Sequence, residues 1–395
     1  MKSLSIFFLA LTLVSCGGGS NDIVAPLNFS ENKFNEDQVE TSISEMKKVI
    51  LSLDSINSKT QNCSNAFDLE SLKSDWKDAA LGYQRLRPTE ASLLDRDPQT
   101  VLKLQERYLG GAYSVSKCRL QQNTAEQLLS ESSLVFDPAI NSLEFLIYAD
   151  VENTNFCGGS NKASIEPWLL TENKTEDICN HINSIAQTAA LQLAEINKAN
   201  EILYKDGESN QIFPANNLQS VYDNISVFTD QILKDKTLGQ PLGLSSKCPF
   251  EGRTCPTAIE HPFAKITFEA VSKNLEGIMA VYNQQTAMSE QPISKGLYQF
   301  LLANNKKQVA DEFYANLIQA HRLSTALHGQ DLEAIAAALD GLENKEKCLN
   351  ANVKNTEVPA CALFKSIKSL SDKIKLDLRL ALAVSTTKQI EGDSD

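Results

Sequence analysis

Apolar positions along this chain recur at three- and four-residue steps. In "VETSISEMKKVILSLDSI" Val39, Ile43, Met46, Ile50 and Leu53 share one helical face, and in "NNLQSVYDNISVFTDQIL" Leu218, Val221, Ile225, Phe228 and Ile232 do the same. The same period predicts helices over 66–86, 99–118, 176–204, 264–283, 304–327, 330–342 and 359–384, while alternating, strand-like runs are nearly absent. The expected class is all-α. One core is not expected to grow across 395 residues, and the polar stretch "KDGESNQIFPANN" (Lys205 to Asn217) reads as the boundary between two helical bundles, 37–205 and 217–395.

One predicted helix breaks the amphipathic rule. "DPAINSLEFLIYAD" (Asp137 to Asp150) is apolar almost throughout yet carries Glu144 among Leu143, Phe145, Leu146 and Ile147. Asp137 suits the N-cap and Pro138 the first helical position, which puts Asn141 and Glu144 on one face. A carboxylate in such surroundings must be paired, protonated or bound to a cation.

The N-terminus changes the picture from a generic helical protein to an exported one. Lys2 precedes an apolar run from Leu4 to Val14, too short to span a bilayer permanently, so residues 1–15 read as a signal peptide. The run ends in "LVSC", similar to the lipobox of bacterial lipoproteins, which predicts cleavage before Cys16 and acylation of that cysteine. Gly-Gly-Gly-Ser follows, and residues 16–36 read as the acylated cysteine and a flexible tether. The implied partner is a membrane, reached through lipid at Cys16, and the implied location is the bacterial cell envelope, with the outer membrane favoured because Gly17 is not the aspartate of inner-membrane retention.

Of nine cysteines, Cys16 set aside leaves an even number, which suits disulfides in an exported chain. Proximity in sequence suggests Cys157 with Cys179, Cys248 with Cys255 and Cys348 with Cys361, leaving Cys63 with Cys118. Zinc is not favoured, since no CxxC occurs and the four histidines are scattered. A net charge of -13 and the lack of an arginine-rich run exclude nucleic acid as a partner.

Common catalytic signatures are missing: no Gly-rich phosphate loop, no GxSxG, no HExxH. His321 and His328 lie seven apart and read as positions at a helix surface and end, and His181 has no local partner. Several longer blocks are more informative. "WKDAALGYQ" (Trp76 to Gln84), "NSLEFLIYAD", "KDKTLGQPLG" (Lys234 to Gly243), "EHPFAKITFEAVSKNLEGIMAVY" (Glu260 to Tyr282) and the ending "DLRLALAVSTTKQIEGD" follow one another in the order found in the imelysin family of bacterial exported proteins, which the chain resembles over most of its mature length.

That resemblance implies an all-helical fold of two bundle-like halves, often lipid-anchored and linked in several members to iron acquisition or metal binding. The family pattern Gly-x-His-x-x-Glu falls on Ala139, Asn141 and Glu144, so only the glutamate is retained, and an acidic position of the family falls on Arg87. An asparagine carbonyl is a poor substitute for imidazole at a zinc, copper or iron site and suits a hard, oxygen-ligated ion such as calcium. Metallopeptidase activity is therefore not expected, no cofactor is specified, and metal binding through an altered, oxygen-rich site stands as the second reading behind ligand or partner binding in an envelope or iron-uptake setting. An arginine at 87 suggests that a guanidinium replaces the cation in an Arg87 to Glu144 ion pair, with Arg85 as the alternative partner. Glu260 and His261 precede a helix: they either face the interface between the halves or simply cap that helix, with Pro262 setting its first turn.

Overall fold

The computed structural model describes residues 31–63, 68–90, 116–128, 139–205, 217–245, 254–255, 258–285, 287–341, 346, 348–350 and 358–385. Among them every regular element is helical, and the chain is all-α as its periodicity predicts. The N-terminal half comprises α1 (Glu31–Lys59), α2 (Glu70–Glu90), α3 (Lys117–Ala125), α4 (Ala139–Tyr148), α5 (Lys162–Leu169) and α6 (Lys174–Lys205). The C-terminal half comprises α7 (Asn217–Val227), α8 (Thr267–Asn283), α9 (Gly296–Ala303), α10 (Lys307–Ala326), α11 (Leu332–Ala338) and α12 (Pro359–Lys373). The signal peptide, Cys16 and the predicted caps Asp137 and Pro138 lie outside the described residues, as does most of the helix expected over 99–118.

Boundaries moved where local rules compete. The first helix starts at Glu31, so the end of the expected tether is helical. The helix expected over 304–327 is preceded by a separate one, α9, because Asn304 and Asn305 end it and Asn305 takes a left-handed conformation. The fully buried stripe of α1 is Ile43, Met46, Val49, Leu53 and Ile56, and the expected Ile50 packs partly buried against the same core beside Val49. Two stretches widen into π-helix: Phe228–Gly239, which continues α7, and Ile374–Leu378, which continues α12. A 3.6-residue period does not forecast these wider turns, which are found disproportionately at functional sites.

Buried apolar side chains gather into two cores. One runs from Met46 through Trp76, Leu143, Phe145 and Ile185 to Ile196, and takes in Ile266 from the second half of the chain. The other is built on Tyr222, Phe228, Phe268, Tyr282, Phe313 and Phe364. Helix α2 joins them, packing on α1 and α4 on one side and on α8 on the other. This seam places the polar cluster described below.

The disulfides correct part of the sequence reading. Cys348 bonds Cys361 as expected, but Cys63 bonds Cys179 and Cys118 bonds Cys157, so two expected pairs exchange partners. The reason is antiparallel packing. Lys47 pairs with Glu201 at 2.7 Å and Asn183 donates to the Asn57 carbonyl at 3.0 Å, a register that brings the end of α1 to the start of α6 and Cys63 to Cys179 across 116 residues. Loop-closure entropy rises only slowly with length, so sequence proximity is a weak guide to pairing. Cys255 is disulfide-bonded, while its expected partner Cys248 lies outside the described residues.

Candidate functional site at the seam between the halves

Three segments meet where α2 crosses the seam. Helix α2 contributes Trp76, which packs on α4, and Gln84 and Arg87, which reach the second half. Helix α4 contributes Glu144. The loop before α8 contributes Glu260 and His261, and its residues His261 and Lys265 both have φ of 57°, in the left-handed region. Non-glycine residues adopt that region at a cost, so surrounding contacts must hold the loop in shape.

Glu144 supplies those contacts. Its Oε1 accepts hydrogen bonds from the backbone N–H groups of Phe263 and Ala264, both at 2.9 Å, and its Oε2 lies 3.0 Å from His261 Nδ1. Both side chains are almost fully buried, Glu144 at 1% exposure and His261 at 1%. Trp76 stacks edge-on to the His261 ring with centroids 5.5 Å apart, and its indole N–H donates to the Ile140 carbonyl at 2.8 Å, tying the ring to the first turn of α4.

The second half of the cluster is an ion pair. Arg87 Nη1 donates to Glu260 Oε1 at 2.7 Å and to Gln84 Oε1 at 2.8 Å, while its guanidinium lies over the Phe228 ring. Gln84 Nε2 donates to the same Glu260 oxygen at 2.8 Å and stands 3.0 Å from His261 Nε2, so one amide joins the two acid–base pairs. Thr237 donates to Glu260 Oε2 at 3.4 Å and Thr267 to the Glu260 carbonyl at 2.6 Å.

Electrostatics follow from this geometry. Burial opposes ionisation of Glu260, but the charges of Arg87 and His261 and the hydrogen bonds from Gln84 and Thr237 outweigh it and hold the carboxyl below its ordinary value. Burial likewise disfavours the charged form of His261, but the hydrogen bond and charge of Glu144 and the charge of Glu260 raise the imidazole above its ordinary value. The Gln84 amide pulls the other way: its N–H faces Nε2 and needs a lone pair there, which the ring offers when its proton sits on Nδ1. Turning the amide over would break its bonds to Arg87 and Glu260.

The structure brings Arg87, Glu144, Glu260 and His261 into one buried cluster but pairs them differently from the expectation. Arg87 meets Glu260, and Glu144 meets His261 and two backbone amides, so the expected direct Arg87 to Glu144 pair is not formed. The expectation overlooked the loop, which reaches Glu144 from 117 residues away and offers three donors at once. Arg85, the alternative, points elsewhere, 3.4 Å from Glu45 and 4.0 Å from Glu276. Ala139 and Asn141 are buried in the first turn of α4. His321 lies 3.7 Å from Glu276 and His328 2.8 Å from Ser272, so the two histidines do not share a partner. Gln84 and Thr237 were missed. Each sits inside a quoted block, but an uncharged side chain carries no local sign of a buried role.

A second buried charge cluster, also unanticipated, lies where the π-helical stretches meet. Asp230 Oδ1 accepts from Lys234 at 2.8 Å, Lys375 at 2.9 Å and Ser371 at 2.6 Å. Burial opposes its ionisation, but these three bonds outweigh it and lower its pKa well below the usual carboxylate range.

Glu260 and Asp230 make the acid response predictable. A carboxyl whose folded-state pKa is depressed adds stability above its unfolded value, near 4.5 for Glu260 and 3.8 for Asp230, and that stability is lost as pH falls through the folded values. Denaturant midpoints are expected to hold from neutral pH to about 5 and then fall, and to fall less steeply in Glu260→Gln. An unchanged slope in that variant would remove Glu260 from the account.

The cluster does not suit a metal ion. Both lone pairs of Glu144 Oε1 face N–H donors, Oε2 faces an imidazole, and a guanidinium lies 2.7 Å from the only other carboxylate. Among the described residues no three His, Cys, Asp or Glu side chains are grouped to hold one.

No curated protein matches this sequence. Its fold is similar to that of an imelysin-like protein from Psychrobacter arcticum 273-4, with a TM-score of 0.61 and 16% identity over 92% of this chain and 100% of that one. It is also similar to a protein from Parabacteroides distasonis ATCC 8503 described as an iron-regulated protein A precursor, with a TM-score of 0.54 and 10% identity over 89% of this chain and 98% of that one. The family model for imelysin matches residues 54–357, which span the seam and every residue of the Glu144 and Glu260 cluster, and the chain belongs to the imelysin family.

Proposed function

We propose that this chain is an exported, lipid-anchored member of the family that binds a ligand or partner in the cell envelope, in the setting of iron uptake, without hydrolysing it. The observation that carries the reading is the use made of Glu144. The one retained residue of the family motif spends its carboxylate on holding the loop Glu260 to Lys265 against the N-terminal half. A metal that activates water needs firm protein ligands and an open position, and a carboxylate locked onto three N–H donors offers neither. The lipobox at Cys16, the disulfides and the fold it shares with an iron-regulated precursor support the setting. Among the described residues no helix is long and apolar enough to cross a membrane.

Metal analysis of the purified chain, after exposure to iron, zinc and calcium in turn and then desalting, tests the proposal. Substoichiometric metal is expected, together with no peptide turnover above that of Glu144→Ala. Stoichiometric metal that disappears in Glu144→Ala would replace this reading with an oxygen-ligand metal site.

A further inference from the structure

The loop Glu260 to Lys265 presents three hydrogen-bond donors to one point: the N–H groups of Phe263 and Ala264 and His261 Nδ1. Successive backbone N–H groups aimed into a concavity form an anion site, and a cationic or N–H-bearing imidazole beside them strengthens it. The left-handed conformations of His261 and Lys265 give the loop that curvature. Its walls are aromatic, with Trp76 edge-on to His261 and Phe145 edge-on to Phe263, and Lys117 lies 4.7 Å from the centre of the Phe263 ring. A carboxylate already sits in the site, but it belongs to another segment of the same chain.

We propose that this loop is a carboxylate receptor, occupied by Glu144 and able to take a free small carboxylate in its place. The inference deepens the binding role proposed above by naming the ligand class, and it rests on that role only for its use in the cell. In the closed protein Glu144 is tethered opposite the donors at a high effective concentration, so a free carboxylate competes poorly.

Truncation of the side chain tests the receptor directly. Glu144→Ala removes a methylene and a carboxylate, leaving space close to that of an acetate ion. Formate and acetate are expected to stabilise this variant with the logarithm of their concentration above the dissociation constant, raising the folded-to-unfolded ratio about tenfold at roughly ten times that constant. Benzoate, too large for the space, and chloride at equal ionic strength are expected to have no such effect. Neither the unmodified chain, whose own carboxylate fills the site, nor Glu144→Gln, whose amide occupies the volume, should respond. If Glu144→Ala does not fold in plain buffer, its refolding yield with formate against chloride reads the same interaction, and a formate-specific yield supports the receptor. Equal responses to formate and chloride, a benzoate effect as large as that of acetate, or the same response in the unmodified chain would each overturn it. These outcomes are separable from failure of the binding role, which stoichiometric metal or peptide turnover would reveal whether or not formate binds.

Discussion

Arg87→Ala is expected to destabilise the protein by about 3–5 kcal/mol, the usual cost of removing one partner from a buried ion pair. The side chain of Glu260 is 1% exposed and that of Arg87 6%, so neither charge has water to fall back on. Without the guanidinium Glu260 keeps the neighbouring His261 and the neutral Gln84 and Thr237 hydrogen bonds, which together do not offset the burial of a full negative charge. Burial then dominates, and the carboxyl pKa moves up instead of down. The deficit should therefore shrink at low pH, because a protonated Glu260 no longer needs its partner. Guanidinium chloride midpoints for the unmodified chain, Arg87→Ala, Glu260→Gln and the double variant at pH 7 and pH 4.5 would measure this. The double variant should recover part of the loss, since neither charge remains. A deficit below about 1 kcal/mol at pH 7, in the range of exposed pairs, would mean that water reaches the pair.

The helices of this structure are legible in the sequence because helix formation is local. Met46, Leu53 and Ile225 announce buried faces by spacing alone, and the lone Glu144 in an apolar helix announces a buried carboxylate. What satisfies that carboxylate is not local. His261, Phe263 and Ala264 reach it through tertiary packing, and two of the three donors are backbone groups that every non-proline residue carries. The expectation of an arginine partner was correct in chemistry and wrong in address, since Arg87 does neutralise a buried carboxylate, but that of Glu260. The disulfides show the same limit. Cys348 and Cys361 pair within one short segment, whereas Cys63 and Cys179 depend on the register of two antiparallel helices. Asp230 and Lys234 are four residues apart, a spacing common on exposed helix faces, and nothing near them signals that both are buried in π-helix.

Gly277→Ala is expected to reverse the sign that helix propensity gives it. Alanine in a helix interior is ordinarily better than glycine by about 1 kcal/mol. At Gly277, however, a Cβ would fall on the carbonyl oxygen of Arg85 and 2.8 Å from Pro88 Cγ, so it would strike backbone and a rigid ring rather than a side chain that can turn away. Helices α2 and α8 touch here without an intervening side chain, and the approach sets the distance between the two halves at the level of the buried cluster. Forcing them apart would carry Gln84 and Arg87 away from Glu260 and His261, adding a loss of hydrogen bonding to the steric cost. A net destabilisation of about 1–3 kcal/mol is expected, at the upper end if the ion pair loosens with the helices. Gly82→Ala is the matched comparison, because its Cβ would lie 3.0 Å from the tip of Val49, a side-chain methyl with some freedom to yield. Coupling between sites separates clash from displacement. If the helices part, Arg87→Ala should cost less in the Gly277→Ala background than alone, whereas a purely local clash would leave the two effects additive. Equal midpoints for Gly277→Ala and Gly82→Ala would show that the seam has slack, and the cluster would then have to hold its geometry without the close contact of α2 and α8.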